Sequence, residues 1–138
     1  MPDNSSSLVG PSGAPLRVLI VEDEAMVMAV LADIIEESGG EVVGMVTSGL
    51  ASIGAAAGIR PDIIIMDVGL PGMDGIDAAA IIRSRYATPI VLISGEDIAA
   101  KAKQRPGNLD GVEMLLKPID AKALCEAIAR VYPREETP

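Results

Sequence analysis

Short apolar runs alternate along this chain with stretches whose apolar residues recur every three or four positions. Leu16–Val21, Asp62–Met66, Ile90–Ile93 and Val112–Leu116 have strand length, and Glu41–Val46 is a weaker fifth run interrupted by Gly44. After the first run, Val27, Val30, Leu31, Ile34 and Ile35 keep helical spacing until Gly39 and Gly40 stop it. Leu124, Ile128 and Val131 repeat that spacing before Pro133. Weaker helical segments cover Leu50–Ala57, Ile76–Arg83 and Asp97–Lys103, the last shortened by an irregular stretch, Gln104–Gly111. The alternation predicts an α/β fold, a five-stranded parallel sheet with helices on both faces. Near-continuous apolar strands agree, because a strand covered on both sides has no solvent face to keep polar.

The ends read differently. Met1–Pro15 is rich in Ser, Pro and Gly without apolar periodicity, and is expected to be a flexible leader (1–15) ahead of a single domain (16–132). Residues 133–138 form a short charged tail. The leader lacks the basic start and apolar stretch of a secretory signal, and Pro2 excludes N-myristoylation. No apolar run approaches the ~20 residues of a membrane helix, so the expected location is the cytoplasm, away from membranes.

Charge and missing residue types narrow the chemistry. With Asp+Glu 20 against Lys+Arg 11, the net charge of -9 repels phosphate backbones, and no nucleic-acid partner is expected. Histidine is absent, so no Ser-His-Asp or Cys-His relay can form. Any phosphorylated histidine must belong to a partner. With Phe 0, Trp 0 and Tyr 2 there is no stacking platform for bases or a flavin ring. Cys125 is alone, excludes an intramolecular disulfide, and is read as helix packing.

Four runs end abruptly in polar residues: Glu22 and Asp23 after Val21, Asp67 after Met66, Ser94 after Ile93, and Lys117 after Leu116. In an open parallel sheet the carboxyl ends of the strands share one edge, and ligands bind there. Three carboxylates in one place repel unless a cation or proton intervenes. The all-oxygen set favours Mg2+, with Mn2+ as an alternative, over metals that prefer imidazole or thiolate. A carboxylate beside a cation and a lysine is a plausible nucleophile, since aspartyl phosphates are an established covalent intermediate.

These residues resemble the receiver domain of two-component response regulators, the CheY-like family. The resemblance spans Leu16 to Val131 and rests on V-E-D-E at Val21–Glu24, M-D-V-G-L-P-G-M-D-G at Met66–Gly75, I-S-G at Ile93–Gly95 and L-K-P at Leu116–Pro118. It implies the doubly wound, flavodoxin-like strand order 2-1-3-4-5. It also implies Asp67 as phosphoacceptor, Glu22, Asp23, Asp67 and the Gly69 backbone carbonyl as Mg2+ ligands, and Ser94 and Lys117 as the hydroxyl and amine that meet the phosphoryl group. The peptide before Pro118 would be cis. The partner implied is a sensor histidine kinase or histidine phosphotransfer protein, and the chain is expected to signal by protein contact, without an attached output domain, as a monomer or weak dimer.

There are departures. Met114 stands three residues before Lys117, where receivers carry Tyr or Phe, and Glu22 replaces the commoner Asp. Gly69 and Glu96 flank the acceptor and by analogy influence how long the phosphate survives. A haloacid-dehalogenase-type phosphatase would need an acid where Gly69 stands, and a flavodoxin would need a hydroxyl-rich loop where E-D-E stands. The remaining alternative is a pseudo-receiver, a phosphorylation-independent interaction module; five pocket positions intact in type argue against it.

Overall fold

The strand-helix alternation resolves, in a computed structural model, into one sheet in the order β2-β1-β3-β4-β5, with all pairings parallel. The structure describes residues 8–95 and 111–132. Its elements are β1 (Arg17–Val21), α1 (Ala25–Glu37), β2 (Glu41–Val46), α2 (Gly49–Ile59), β3 (Ile63–Asp67), α3 (Gly75–Arg85), β4 (Ile90–Ser94), β5 (Val112–Leu116) and α4 (Ala121–Val131). The expected helix at Asp97–Lys103, Glu96, most of Gln104–Gly111 and the tail 133–138 lie outside the described residues.

Side-chain alternation along each strand divides the core into two layers. Val18, Ile20, Ile63, Ile65, Val91 and Ile93 face α1 and α4, meeting Met28, Leu31, Ile35, Leu124 and Ile128. Leu19, Val21, Ile64, Met66, Ile90 and Leu92 face the other way, onto Ala56 of α2 and Ile76, Ala79 and Ile82 of α3. Strands β3 and β4 are buried at every position, as strands covered on both faces must be. Cys125 packs against the first layer, and its thiol donates to Ser38 Oγ at 3.4 Å.

Strand β2 was the least regular run, and its register shows why. Val18 pairs with Val42 but Leu19 with Gly44, so Val43 is an extra residue and the strand bulges. A Cβ at Gly44 would stand 2.8 Å from Ile59 Cδ1 and 3.1 Å from Leu19 Cδ1, so a larger residue there would have to displace the ends of both side chains.

Part of the segment expected to be flexible is packed instead. Leu8 is buried in the first layer. Its N–H donates to the Ser38 carbonyl (2.9 Å), the Leu16 N–H donates to the Leu8 carbonyl (3.0 Å), and Val9 and Pro15 form an antiparallel bridge. One buried leucine and three backbone contacts outweigh the turn-rich composition of residues 8–15. Residues 1–7 lie outside the described chain.

Candidate functional site

The parallel register brings the carboxyl ends of β1, β3, β4 and β5 to one edge, and every charged group expected there arrives. Asp67 and Ser94 are the last residues of β3 and β4; Glu22 and Asp23 follow β1, and Lys117 follows β5. Glu22, Asp67 and Ser94 are buried, whereas Asp23 is exposed. Carboxylate oxygens of Glu22, Asp23 and Asp67 lie within 4.8 Å of one another.

Lys117 supplies the positive charge among the described residues of this cluster. Its Nζ lies 3.4 Å from Asp67 Oδ1, 4.0 Å from Glu22 Oε1 and 3.9 Å from Glu24 Oε1. It is carried in by a turn whose Lys117–Pro118 peptide is cis, as the resemblance implied. The Lys117 N–H donates to the Ser94 carbonyl (2.9 Å), tying the ends of β4 and β5 together beneath the site.

Glu22 is the most constrained acid. Its Oε2 accepts from the Glu24 N–H at 3.0 Å, but Oε1 is fully enclosed and has no hydrogen-bond partner among the described residues. Burial pushes the carboxyl above its ordinary value of 4.5, and the charges of Asp67 and Asp23 push the same way. The Glu24 N–H and Lys117 oppose them. An enclosed, unpartnered oxygen beside two further carboxylates is an environment that a hard divalent cation would complete. The residues present therefore fit a cation bound through oxygen.

Ser94 is placed at the site but its hydroxyl is engaged elsewhere, donating to Met114 Sδ at 3.5 Å across the β4–β5 pair. Gly69 is exposed in the loop leaving Asp67. That loop is held tightly: the Gly75 N–H donates to the Val68 carbonyl (2.9 Å), and a Cβ at Gly75 would run into the Asp67 carbonyl. Glycine lets α3 start directly beneath Asp67. Glu24 stands within V-E-D-E without a role of its own in the sequence pattern; its contact with Lys117 carries no signal beyond a charge three residues past the end of β1.

A groove of about 510 Å3 opens beside the cluster, lined by Met26, Val27, Val30, Lys117, Pro118 and Ile119 among others. Lys117 belongs to both the groove and the cluster. Among the described residues no helix is long and apolar enough to cross a membrane.

Comparison with known proteins agrees with this geometry. The family model of the response regulator receiver domain matches residues 18–129. The transcriptional regulatory protein PdtaR of Mycobacterium tuberculosis is 38% identical over 120 residues, covering 85% of this chain and 57% of that protein. The chain thus spans little more than half of that relative. Among solved structures, the signal receiver domain of a modulated diguanylate cyclase from Desulfovibrio desulfuricans G20 superposes with a TM-score of 0.75 at 30% identity, covering 86% of this chain and 94% of that one. The response regulator domain of Thermotoga maritima CheB gives 0.71 at 29% identity, covering 86% and 96%.

Proposed function

Since the chain belongs to the response regulator receiver family, we propose that it accepts a phosphoryl group on Asp67 from a phosphohistidine of a sensor kinase or phosphotransfer protein. The phosphohistidine lies outside this sequence, which has no histidine. In the transfer an Asp67 carboxylate oxygen forms the new O–P bond as the N–P bond breaks, and the imidazole nitrogen keeps the electron pair and takes up a proton. The observation that carries this reading is the buried Asp67 carboxylate, grouped with Glu22 and Asp23 and 3.4 Å from Lys117.

Each neighbour has a role consistent with its position. Glu22, Asp23, Asp67 and the Gly69 carbonyl would hold Mg2+, with Mn2+ as a substitute, and the bound cation would neutralise charge on the transferring oxygens. Lys117 balances the acceptor carboxylate before transfer and a phosphoryl oxygen after it. Ser94 would exchange the Met114 thioether for a phosphoryl oxygen, a stronger, charge-assisted acceptor. That exchange would carry the modified state to the surface, where it is read by protein contact.

The groove suits the donor protein. Met26 is 83% exposed and Val30 51% exposed, an unusual apolar face for α1, and it continues into Lys117. A helix bearing phosphohistidine could lie there with its imidazole over Asp67. We place the exchange in the cytoplasm, in keeping with an unpaired cysteine.

The test is intact mass after incubation with a small phosphodonor and Mg2+, beside an EDTA control and Asp67→Asn. One phosphoryl mass gained by the wild type and by neither control supports the reading. No gain in a folded chain that also fails to bind Mg2+ would replace it with a phosphorylation-independent module.

A further inference from the structure

Helix α1 starts differently from the other described helices. Ser48, Asp74 and Asp120 cap α2, α3 and α4 by accepting the N–H of Ala51, Asp77 and Ala123. Glu24 occupies the same position before α1 but makes no side-chain cap. Its carboxylate, 65% exposed, turns toward the site and places Oε1 3.9 Å from Lys117 Nζ. A side chain that leaves its helix uncapped and stands at the mouth of an anionic site acts on what enters.

Charge counting shows the direction. Glu22, Asp23 and Asp67 bring three negative charges, which a divalent cation and Lys117 would balance. Among the described residues Glu24 then adds a negative charge with no further counterpart in the cluster, on the exposed side, and holds part of the lysine's attraction at the rim. A free phosphodonor arrives as an anion and feels that charge.

Resting on the phosphoacceptor reading, we propose that Glu24 is a specificity-determining residue whose carboxylate at the rim beside Lys117 disfavours highly charged free phosphodonors relative to less charged ones. The side chain is dispensable for the fold of the pocket, because the contact that orders Glu22 comes from the Glu24 backbone N–H.

The test compares initial phosphorylation rates of the wild type, Glu24→Gln and Glu24→Asp with acetyl phosphate, a dianion near neutral pH, and phosphoramidate, which carries less net charge. A unit charge acting on a dianion several ångströms away across water predicts that Glu24→Gln accelerates the acetyl phosphate reaction about fivefold at low salt. The phosphoramidate rate, set by about half the charge, should rise only about twofold, and the acetyl phosphate gain should shrink as salt screens the charge. Glu24→Asp keeps the charge and should stay within about twofold of the wild type. Equal acceleration of both donors, no acceleration, or a gain that survives high salt overturns the proposal. A wild type phosphorylated by neither donor removes the phosphoacceptor reading and this inference with it, whereas a wild type phosphorylated by both beside an unchanged Glu24→Gln removes the inference alone.

Discussion

Replacing Glu22 by glutamine should stabilise the metal-free protein and weaken its response to Mg2+. The perturbation is nearly isosteric: one oxygen can still accept the Glu24 N–H at 3.0 Å, and the charge is gone. In the wild type Oε1 is enclosed without a partner, a condition that costs about 1–3 kcal/mol for a buried polar group. Repulsion from Asp67 and Asp23 adds to that cost. Attraction to Lys117 at 4.0 Å offsets part of it, but the amine is 31% exposed and the pair is correspondingly screened. The net expectation is a gain of about 1–2 kcal/mol for Glu22→Gln in EDTA at neutral pH, seen as a rise in Tm of roughly 3–8 °C.

The pH dependence follows from the sign of the shift. The Glu22 carboxyl sits above 4.5 in the folded protein, so between 4.5 and the folded value the native state binds more protons than the unfolded one. Stability of the metal-free wild type therefore falls as pH rises through that window, and levels off once Glu22 is ionised. Glu22→Gln lacks this contribution, so the difference between the two proteins should shrink toward acid pH. Mg2+ would bind the ionised form and act oppositely: at 100 times its Kd it would stabilise by about 2.7 kcal/mol. The variant, short of one charged ligand, should bind about tenfold or more weakly. Thermal melts of both proteins in EDTA and in saturating Mg2+, at several pH values, read all of this. A variant that melts at or below the wild type in EDTA, or a difference that does not narrow on acidification, would refute the reasoning.

Two further outcomes are expected. Met26→Lys places a charge on the apolar face of α1, and should lower transfer from a phosphohistidine protein about tenfold more than uptake from a small donor, read by comparing the two rates on one preparation. Leu8→Ala removes a side chain that is 2% exposed in the first core layer, and should cost about 2–4 kcal/mol in a urea melt; a variant as stable as the wild type would show that residues 8–15 are only loosely attached.

The strands were legible because the sheet leaves them no choice. A run such as Ile63–Met66, buried on both sides, must be apolar at every position, and the first polar residue after it marks the sheet edge. The same property located the site, since edge residues of parallel strands must converge once the strands pair. The boundaries moved by single residues where a polar group is itself in the ladder: Asp67 and Ser94 close β3 and β4 and do not follow them. Less visible were features that depend on a distant partner. The close approach at Gly44 answers to Leu19 and Ile59, and Leu8 answers to the end of α1, so neither leaves a periodic trace in its own neighbourhood.

Ser94 and Met114 show why pocket composition alone underdetermines a receiver. The residue types at the sheet edge define which group can accept phosphate, but the route by which acceptance leaves the pocket depends on what Ser94 touches beforehand. Here its hydroxyl rests on the Met114 thioether, a weak acceptor on a flexible side chain that also packs against the second core layer. A weak acceptor is readily abandoned for a phosphoryl oxygen, so the Ser94 side of the exchange meets little resistance. An unbranched thioether then has several rotamers open to it, whereas a rigid ring would have few. The expected consequence is a modified state whose β4–β5 end is less sharply defined than that of a receiver with an aromatic residue at this position. Met114→Tyr should narrow it, read as fewer exchange-broadened resonances at the ends of β4 and β5 in the beryllofluoride-bound protein; equal broadening in both proteins would show that Met114 does not set that order.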